Sequence, residues 1–210
     1  MADIGIKYEL TKEGFEYDGH YLRRIRALKD FGGIKAGDIG GWVETDNNLS
    51  QEGFCWIYDE AMVYGKARVF DDVHVFDYAR VYGESFVLAY ARIYGNAKVF
   101  DKATISSSAT IYGNAEICGQ AVISGSAEVC GNAEVSGRAQ VYGKARVYGD
   151  ARIFGSSHVC DDAKVFGRTW VFGNAKVFGN TSVRGDSRIF NKSLVCTDKE
   201  VVDKIVGRRR

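Results

Sequence analysis

The feature that most constrains this chain is a six-residue repeat that runs without insertion or deletion from Ile57 to Val195. Residues 139–156 read AQVYGKARVYGDARIFGS, in which a small residue, a polar residue, a β-branched residue, an aromatic residue, a glycine and a polar residue follow one another three times. The β-branched position is Val or Ile in all 24 units. A fixed period over so much of a chain is typical of solenoids, in which each unit packs on its neighbours.

Each unit predicts a short strand followed by a turn. The second residue after the Val or Ile is Gly in 15 of the 24 units and Asp or Asn in six more. These residues adopt positive φ most easily, so the chain is expected to turn every six residues. Between turns, alternation places the small residue and the Val or Ile inside, and the polar and aromatic residues outside. A helix is excluded because a six-residue apolar period with regular glycines fits neither the helical period nor helix propensity.

The repeat also predicts a solenoid with three sides. Three strands and three corners make a triangular coil of eighteen residues, and coils that stack at about 4.8 Å satisfy the ladder hydrogen bonds along the axis. The chain contains no proline, which agrees with a backbone whose N–H groups nearly all take part in a ladder. The predicted fold class is therefore all-β: a single-stranded, three-sided parallel β-helix of about eight coils.

Two segments outside the repeat are expected to cap the open ends of this solenoid, which we place at residues 51–196. Residues 1–50 form the expected small N-terminal capping unit, β-rich or α+β, with strand candidates at residues 7–10 and 21–28. Residues 197–210 are expected to form a short C-terminal capping helix and a basic tail. Glycine pairs mark the turns of the N-terminal unit.

The C-terminal helix prediction rests on a local start signal and an apolar side. Thr197-Asp198-Lys199-Glu200 matches a capping box. The basic tail that follows is expected to be solvated, as chain termini usually are. The apolar side of the predicted helix would be formed by Val201, Val202, Ile205 and Val206.

The composition bounds the setting of the protein. Its formal net charge is +1 over 210 residues, so no strongly charged partner is indicated and binding to duplex nucleic acid is not expected. No apolar run approaches the roughly 18 residues that a membrane helix needs, and the first ten residues lack the regions of a signal peptide. The five cysteines show no C-x-x-C spacing, which favours reduced thiols and gives no support for a metal site. We expect a cytoplasmic protein without a membrane partner.

Outward residues return to the same face every eighteen residues, so they can be assigned to columns. Aromatic side chains fill both ends of these columns, small side chains gather near the middle coils, and Arg or Lys residues run beside them. Stacked aromatics stabilise neighbouring coils, and rings beside guanidinium groups also hold a base and a phosphate. Solvated polar rows beside a stabilising ladder remain the alternative. The candidate ligand-binding residues are Arg80, Tyr82, Arg92, Tyr94, Arg146, Tyr148, Arg152 and Phe154.

The repeat unit carries a resemblance to a known family. A Val or Ile, an aromatic residue, Gly, Asn, Ala and Lys, as at 93–98 and 171–176, resembles the hexapeptide repeat of left-handed parallel β-helix proteins, whose best-known members are trimeric acyltransferases. Together with residues 24–28 and 40–44, it is similar to a branch of bacterial and prophage β-solenoid proteins labelled as transferases. The resemblance implies a left-handed coil and a homo-oligomer, either a trimer or a dimer.

The same resemblance implies where catalysis would lie in an enzyme. Acyltransferases of this kind use a histidine at a subunit interface as general base, with acyl-coenzyme A in the groove between prisms. The catalytic candidates are His74 and His158, which lie at outward strand positions, whereas His20 lies in the cap. The repeat contains no extruded loop, which is the usual place for substrate-binding residues in such enzymes.

Three functions of different classes therefore stay open. The first is a non-catalytic binding or assembly solenoid without a cofactor. In the form that the prophage resemblance suggests, it sequesters a nucleotide or another small anionic ligand at an aromatic, Arg-lined subunit interface in the host cytoplasm. The alternative is a hexapeptide-type acyltransferase that depends on acyl-coenzyme A, and a further alternative is a purely structural spacer.

Overall fold

The computed structural model describes residues 5–198 and 200–207. The backbone winds through about nine turns of a parallel β-solenoid with three faces around one core. Within the repeat, each strand pairs in parallel with the strand one coil away, as Arg92 pairs with Thr110 and Ile93 with Ile111. The predicted all-β, parallel solenoid is therefore confirmed. The described part of the chain contains no helix long and apolar enough to cross a membrane.

The strands are short, and each coil passes through faces one, two and three in turn. Face one contains Trp56–Ile57, His74–Val75, Arg92–Ile93, Thr110–Ile111, Glu128–Val129, Arg146–Val147, Lys164–Val165, Ser182–Arg184 and Val201–Val202. The repeat strands of face two are Met62–Val63, Arg80–Val81, Lys98–Val99, Glu116–Ile117, Glu134–Val135, Arg152–Ile153, Trp170–Val171, Arg188–Ile189 and Ile205–Val206. Face three contains Arg68–Val69, Phe86–Val87, Thr104–Ile105, Val122–Ile123, Gln140–Val141, His158–Val159, Lys176–Val177 and Leu194–Val195.

The core is built from the two inward columns that the repeat predicts. Every Val or Ile of the repeat from Ile57 to Val195 is buried, and so is every Ala at the small-residue position from Ala61 to Ala175. A narrow interior between three faces accepts small and β-branched side chains, which also pack well on strands. Burying one Val or Ile side chain contributes about 1.5–3 kcal/mol relative to leaving it exposed, so these columns stabilise every coil.

The corners adopt positive φ throughout, at every sixth residue from 59 to 191. Gly113, for example, has a φ of 70°, and a Cβ at this position would lie 3.0 Å from the backbone nitrogen of Gly131 in the next coil. Successive corners therefore approach so closely that glycine is favoured. Where an Asp stands instead, its carboxylate accepts a hydrogen bond from the next corner, as Asp77 Oδ2 does from the Gly95 N–H at 2.9 Å.

The N-terminal segment forms an antiparallel hairpin that extends face two. Strand β1 is Tyr8–Tyr17 and strand β2 is His20–Ala27, and the two pair with each other. Strand β2 also pairs antiparallel with β3, Ile39–Val43, which pairs in parallel with Met62–Val63. The strand candidates of this segment overlap β1 and β2. The hairpin is thus joined to the ladder of the solenoid through β3.

The predicted C-terminal capping helix is wrong, because the chain continues the ladder instead. Val201–Val202 pairs with residues 183–184 of face one, and Ile205–Val206 pairs with residues 188–189 of face two. The backbone N–H and C=O groups at the open edge of the last repeat coil can form hydrogen bonds with a further strand. The β-branched residues of the C-terminal segment also favour a strand over a short isolated helix. Glu200 forms an ion pair with Arg184 and does not close a capping box. One residue of the capping-box pattern and the basic tail lie outside the described residues.

Candidate functional site

The four predicted arginine–aromatic pairs lie on two faces, so they do not form one site. Three coils separate the pairs on face one, which is about 14 Å at the ladder spacing, and four coils, or about 19 Å, separate those on face two. The pairs on face one are Arg92 with Tyr94 and Arg146 with Tyr148, and those on face two are Arg80 with Tyr82 and Arg152 with Phe154.

Arg80 and Tyr82 belong to the contact between face two and the N-terminal hairpin. The guanidinium of Arg80 lies 5.3 Å from the ring centre of Tyr17 in β1, and Tyr82 stacks on Tyr64 with ring centres 5.0 Å apart. Tyr64 is buried in a small hydrophobic cluster with Leu22 of β2. The hairpin therefore covers this end of the aromatic column, and the pair holds the cap on the solenoid.

Arg152 and Phe154 also have protein partners on their own face. Arg152 Nε lies 3.6 Å from Glu134 Oε2, and the guanidinium lies 5.7 Å from the ring centre of Trp170. Phe154 stacks on Phe172 with ring centres 4.9 Å apart. These contacts place both side chains within a stabilising surface ladder.

On face one, the aromatic column has a missing rung. Tyr94 stacks on Tyr112 with ring centres 4.9 Å apart and 7° between the planes, and Tyr148 stacks on Phe166 at 4.7 Å and 5°. Cys130 occupies the column position between these two stacks, one coil from each. Tyr112 and Tyr148 are therefore separated by two ladder spacings, about 9.6 Å, where one further ring would fit. We call the space between Tyr112 and Tyr148 over Cys130 the face-one slot.

The face-one slot lies in a depression of about 270 Å³ that is bordered by two cations and one carboxylate. Arg146 Nη2 lies 3.2 Å from Glu128 Oε1 on the neighbouring strand. Lys164, one coil beyond Arg146, has no ion-pair partner within 4 Å among the residues that the structure describes. A second depression of about 290 Å³ shares both cations and is lined by Lys144, Arg146, Asp162, Lys164 and Asn180.

Both tyrosines that border the slot are neutral at neutral pH. A hydrogen bond with the Cys130 thiol, and then burial, raises the pKa of Tyr112, while burial is the main cause that raises the pKa of Tyr148. The charge of the slot is therefore set by Arg146, Lys164 and Glu128 and amounts to one net positive charge. The site offers two aromatic faces, neutral hydroxyl groups and a cationic border.

Sequence analysis found Arg146 and Tyr148 but missed the other residues of the slot. Lys164 lies one coil further along the same face, and Tyr112 and Cys130 complete the column. The signal was present, because Cys130 interrupts aromatic residues that recur at eighteen-residue intervals. This interruption indicates a ring-sized space only if the flanking rings are parallel, and the sequence does not show the orientation of the rings.

The structure places the two candidate catalytic histidines on different faces. His74, on face one, shares a hydrogen bond of 2.8 Å between its Nδ1 and the Tyr58 hydroxyl, and it stacks on Phe76. His158, on face three, contacts Tyr142 edge-on, and its Nδ1 is buried with no hydrogen-bond partner among the described residues. Burial, and then a cation on the next coil, lowers the pKa of each histidine. Both imidazoles are therefore neutral at neutral pH, as a general base must be.

The remaining titratable groups give no further site of this kind. His20 Nδ1 lies 3.0 Å from Glu44 Oε2, and the same carboxylate oxygen accepts a hydrogen bond from the Gly65 N–H, so these groups fix the cap to the first coil. Residues 5–198 and 200–207 contain no cluster of His, Cys, Asp and Glu side chains that could hold a metal ion. The five cysteines are free thiols.

The unbroken six-residue repeat and the parallel pairing of its strands on all three faces define the protein as a β-solenoid. A family model described as the YdcK β-solenoid repeat matches residues 145–161, a segment that contains Arg146, Tyr148 and His158. The chain is also 41% identical over 70 residues to a protein of Escherichia coli (strain K12) named "Uncharacterized acetyltransferase YdcK". The match covers 29% of this chain and 22% of that relative, so the chain spans about a fifth of its length. The resemblance to β-solenoid proteins labelled as transferases is confirmed.

Proposed function

We propose that this protein is a non-catalytic binding solenoid that holds a planar, anionic small molecule of the nucleotide class in the face-one slot. The observation that carries the proposal is the missing rung at Cys130, because it leaves a ring-sized gap between two parallel aromatic stacks. The gap lies beside Arg146 and Lys164, so one molecule with a ring and an anionic group would contact both features. Binding of this kind requires no cofactor.

The ring of the ligand would extend the ladder that the protein already forms. Native rungs on face one stack at 4.7 and 4.9 Å, so a ring midway between Tyr112 and Tyr148 would lie at nearly the same spacing from each. Stacking of a base on an aromatic side chain contributes about 1–3 kcal/mol and tolerates any base. The slot therefore favours a flat ring without selecting one base by stacking alone.

The anionic group would be held by the cations that border the slot. Arg146 binds phosphate oxygens in a forked geometry, and Lys164 adds a point charge without a competing carboxylate within 4 Å in the described chain. The second depression, which shares these two side chains, gives the anionic group room beyond the ring. A hydrogen bond to a charged group contributes about 1.5–3 kcal/mol.

Titration calorimetry at one fixed salt concentration tests the proposal with three probes: a nucleoside monophosphate, the uncharged nucleoside and ribose phosphate. The monophosphate should bind most tightly. Tyr148→Ala and Arg146→Gln should each weaken its binding by about 5- to 150-fold, which corresponds to about 1–3 kcal/mol. Arg92→Gln, three coils away on the same face, is the matched control and should leave binding unchanged. Equilibrium dialysis that retains no nucleotide would overturn the proposal.

The proposal includes a homo-dimer or homo-trimer in the cytoplasm, in which a second copy covers the open side of the slot. Exposed aromatic and cationic columns would be partly buried by such an interface. Light scattering during size-exclusion chromatography tests this part separately. A monomer that still binds the monophosphate would remove the interface and leave the slot in place.

A second candidate function is acyl transfer from acyl-coenzyme A, with His158 or His74 as general base. One observation favours His158: its buried Nδ1 has no hydrogen-bond partner in the described chain, so the imidazole is not committed to a structural bond. The name of the Escherichia coli relative, which calls that protein an acetyltransferase, supports the same candidate. Release of free coenzyme A should be lost in His158→Gln if this candidate is right. Turnover that is unchanged in His74→Gln/His158→Gln would exclude both histidines.

A further inference from the structure

A lysine and a cysteine are buried against each other where the N-terminal cap meets the first coil. Lys7, directly before β1, is 1% exposed and Cys55 is 0% exposed. Lys7 Nζ lies 3.3 Å from Cys55 Sγ, and it is also within hydrogen-bond distance of the carbonyl oxygens of Glu52, Gly53 and Cys55, at 3.2, 3.4 and 3.1 Å. Cys55 occupies the inward small-residue position that is Ala61 in the next unit.

Burial favours the uncharged form of both groups, which lie in contact. Burial is the main cause that lowers the pKa of the Lys7 amine, and burial is also the main cause that raises the pKa of the Cys55 thiol. An uncharged amine has a lone pair that can accept the thiol proton and can attack an electrophilic sulfur. A buried thiol alone is inert, but a neutral amine at hydrogen-bond distance supplies the base that it lacks.

We propose that Lys7 and Cys55 form a reversible covalent cross-link when the protein meets hydrogen peroxide. The Lys7 amine takes the thiol proton, and the Cys55 thiolate attacks peroxide, which gives a sulfenic acid and hydroxide. The hydroxide takes the proton back from the ammonium and leaves as water. The neutral amine then attacks the sulfur, an S–N bond forms, the S–O bond breaks, and a second water leaves. The sulfur is oxidised, the peroxide is reduced, and the product is a sulfenamide.

The cross-link would pin the cap to the solenoid. It joins residues 48 positions apart, on either side of the first three strands, β1 to β3. A covalent bond that closes such a loop restricts the unfolded chain and should raise the melting temperature. Opening of the cap during native fluctuations would admit peroxide to the pair.

Peptide mapping of the whole protein after peroxide treatment tests the cross-link. In the untreated protein, trypsin cleaves after Lys7 and releases residues 36–66 as one peptide that contains Cys55. The treated protein should give residues 1–12 joined to residues 36–66, with the loss of two hydrogens and no cleavage at Lys7. A thiol reductant should reverse both the mass change and the rise in melting temperature.

Three variants separate the cross-link from other oxidation. Cys55→Ala places in this column the residue that the next unit has, and Lys7→Arg replaces the amine with a guanidinium, which is not a nucleophile. Both variants should abolish the joined peptide. Cys118→Ser, on face two, is the matched control and should keep it. Treated wild-type protein in which Lys7 is still cleaved and Cys55 is free, or is oxidised only to sulfinic or sulfonic acid, would overturn the proposal.

Discussion

Filling the missing rung at Cys130 is expected to stabilise the solenoid and to abolish ligand binding. In a Cys130→Phe variant, the new ring would lie between Tyr112 and Tyr148, one ladder spacing from each. The native rungs on either side stack at 4.9 and 4.7 Å with planes within 7° of parallel. The introduced ring would therefore stack on both neighbours at once and occupy the place proposed for the ligand ring.

The expected gain follows from the number of new ring pairs. Each stacked aromatic pair contributes about 0.5–1.5 kcal/mol beyond its buried area, so two pairs contribute about 1–3 kcal/mol. The variant loses the hydrogen bond between Tyr112 and the Cys130 thiol, which costs about 1 kcal/mol. The net increase in the free energy of unfolding should be about 0–2 kcal/mol relative to the wild type, and about 1–3 kcal/mol relative to Cys130→Ala, which loses the same hydrogen bond. Cys118→Phe on face two gains one neighbour, Phe100, and should gain about 0.5–1.5 kcal/mol.

Urea unfolding followed by circular dichroism measures these differences, once refolding has been shown to be reversible. Cys130→Ala controls for loss of the thiol, and Cys118→Phe controls for an added surface ring away from the slot. Calorimetric titration with the nucleoside monophosphate should show binding in Cys118→Phe and none in Cys130→Phe. If Cys130→Phe is no more stable than Cys130→Ala, the two tyrosines do not define a ring-sized space. Wild-type affinity in Cys130→Phe would show that the slot is not the ligand site.

The other predictions concern the charge of the slot, the corners and the histidines. Glu128→Gln should tighten nucleotide binding by about 1.5- to 5-fold, because an exposed ion pair worth about 0.2–1 kcal/mol no longer competes for Arg146. Weaker binding in calorimetry would mean that Glu128 itself contacts the ligand. Ala89→Gly should raise the free energy of unfolding by about 1 kcal/mol. Ala89 has a φ of 64°, and this left-handed region is unfavourable for Ala by about 1–2 kcal/mol, of which the greater flexibility of Gly in the unfolded chain offsets a part. An unchanged urea midpoint would contradict this prediction. Burial lowers the pKa of His74 and His158 below the usual 6.5, so their contribution to stability is complete above about pH 6.5 and is lost as pH falls through the folded-state values. His74→Gln/His158→Gln should therefore show a smaller drop in melting temperature between about pH 7.5 and pH 5.5 than the wild type.

The repeat made most of the fold predictable because the same local rule acts in every coil. A Val or Ile such as Val99 must point inward, and a Gly or Asp two residues later must turn the chain, so an error in one unit would conflict with its neighbours. The C-terminal segment lacks this repetition. Its capping-box pattern favours a helix locally, but Val201–Val202 and Ile205–Val206 gain more by pairing with the preceding coil. That non-local gain is invisible in a local signal.

The site was predictable only in part, for a related reason. The eighteen-residue period assigns Arg80 and Arg146 to equivalent surroundings, because each is followed two positions later by an aromatic residue. The hairpin makes them different, because Tyr17 of β1 lies over Arg80, and the fold of a non-repeating segment over a repeating one has no signature in the period. The face-one slot could be recognised only from an absence. The lack of an aromatic residue at Cys130 makes a ring-sized space because the aromatic rings on either side of it are stacked parallel to their own neighbours.

The rigid spacing of a solenoid limits which side chains of one chain can contact the same ligand, and this limit distinguishes the two proposed functions. Outward residues on one face approach each other only along a column or between neighbouring strands, and residues on different faces have the core between them. Tyr112, Arg146 and Tyr148 share one depression on face one, so a single chain can hold a ring and its anionic group. His158 lies on face three, so acyl transfer that combines His158 with the cations of face one requires a second copy. Binding should therefore persist at one ligand per chain on dilution to the monomer, whereas such a transferase should lose its turnover.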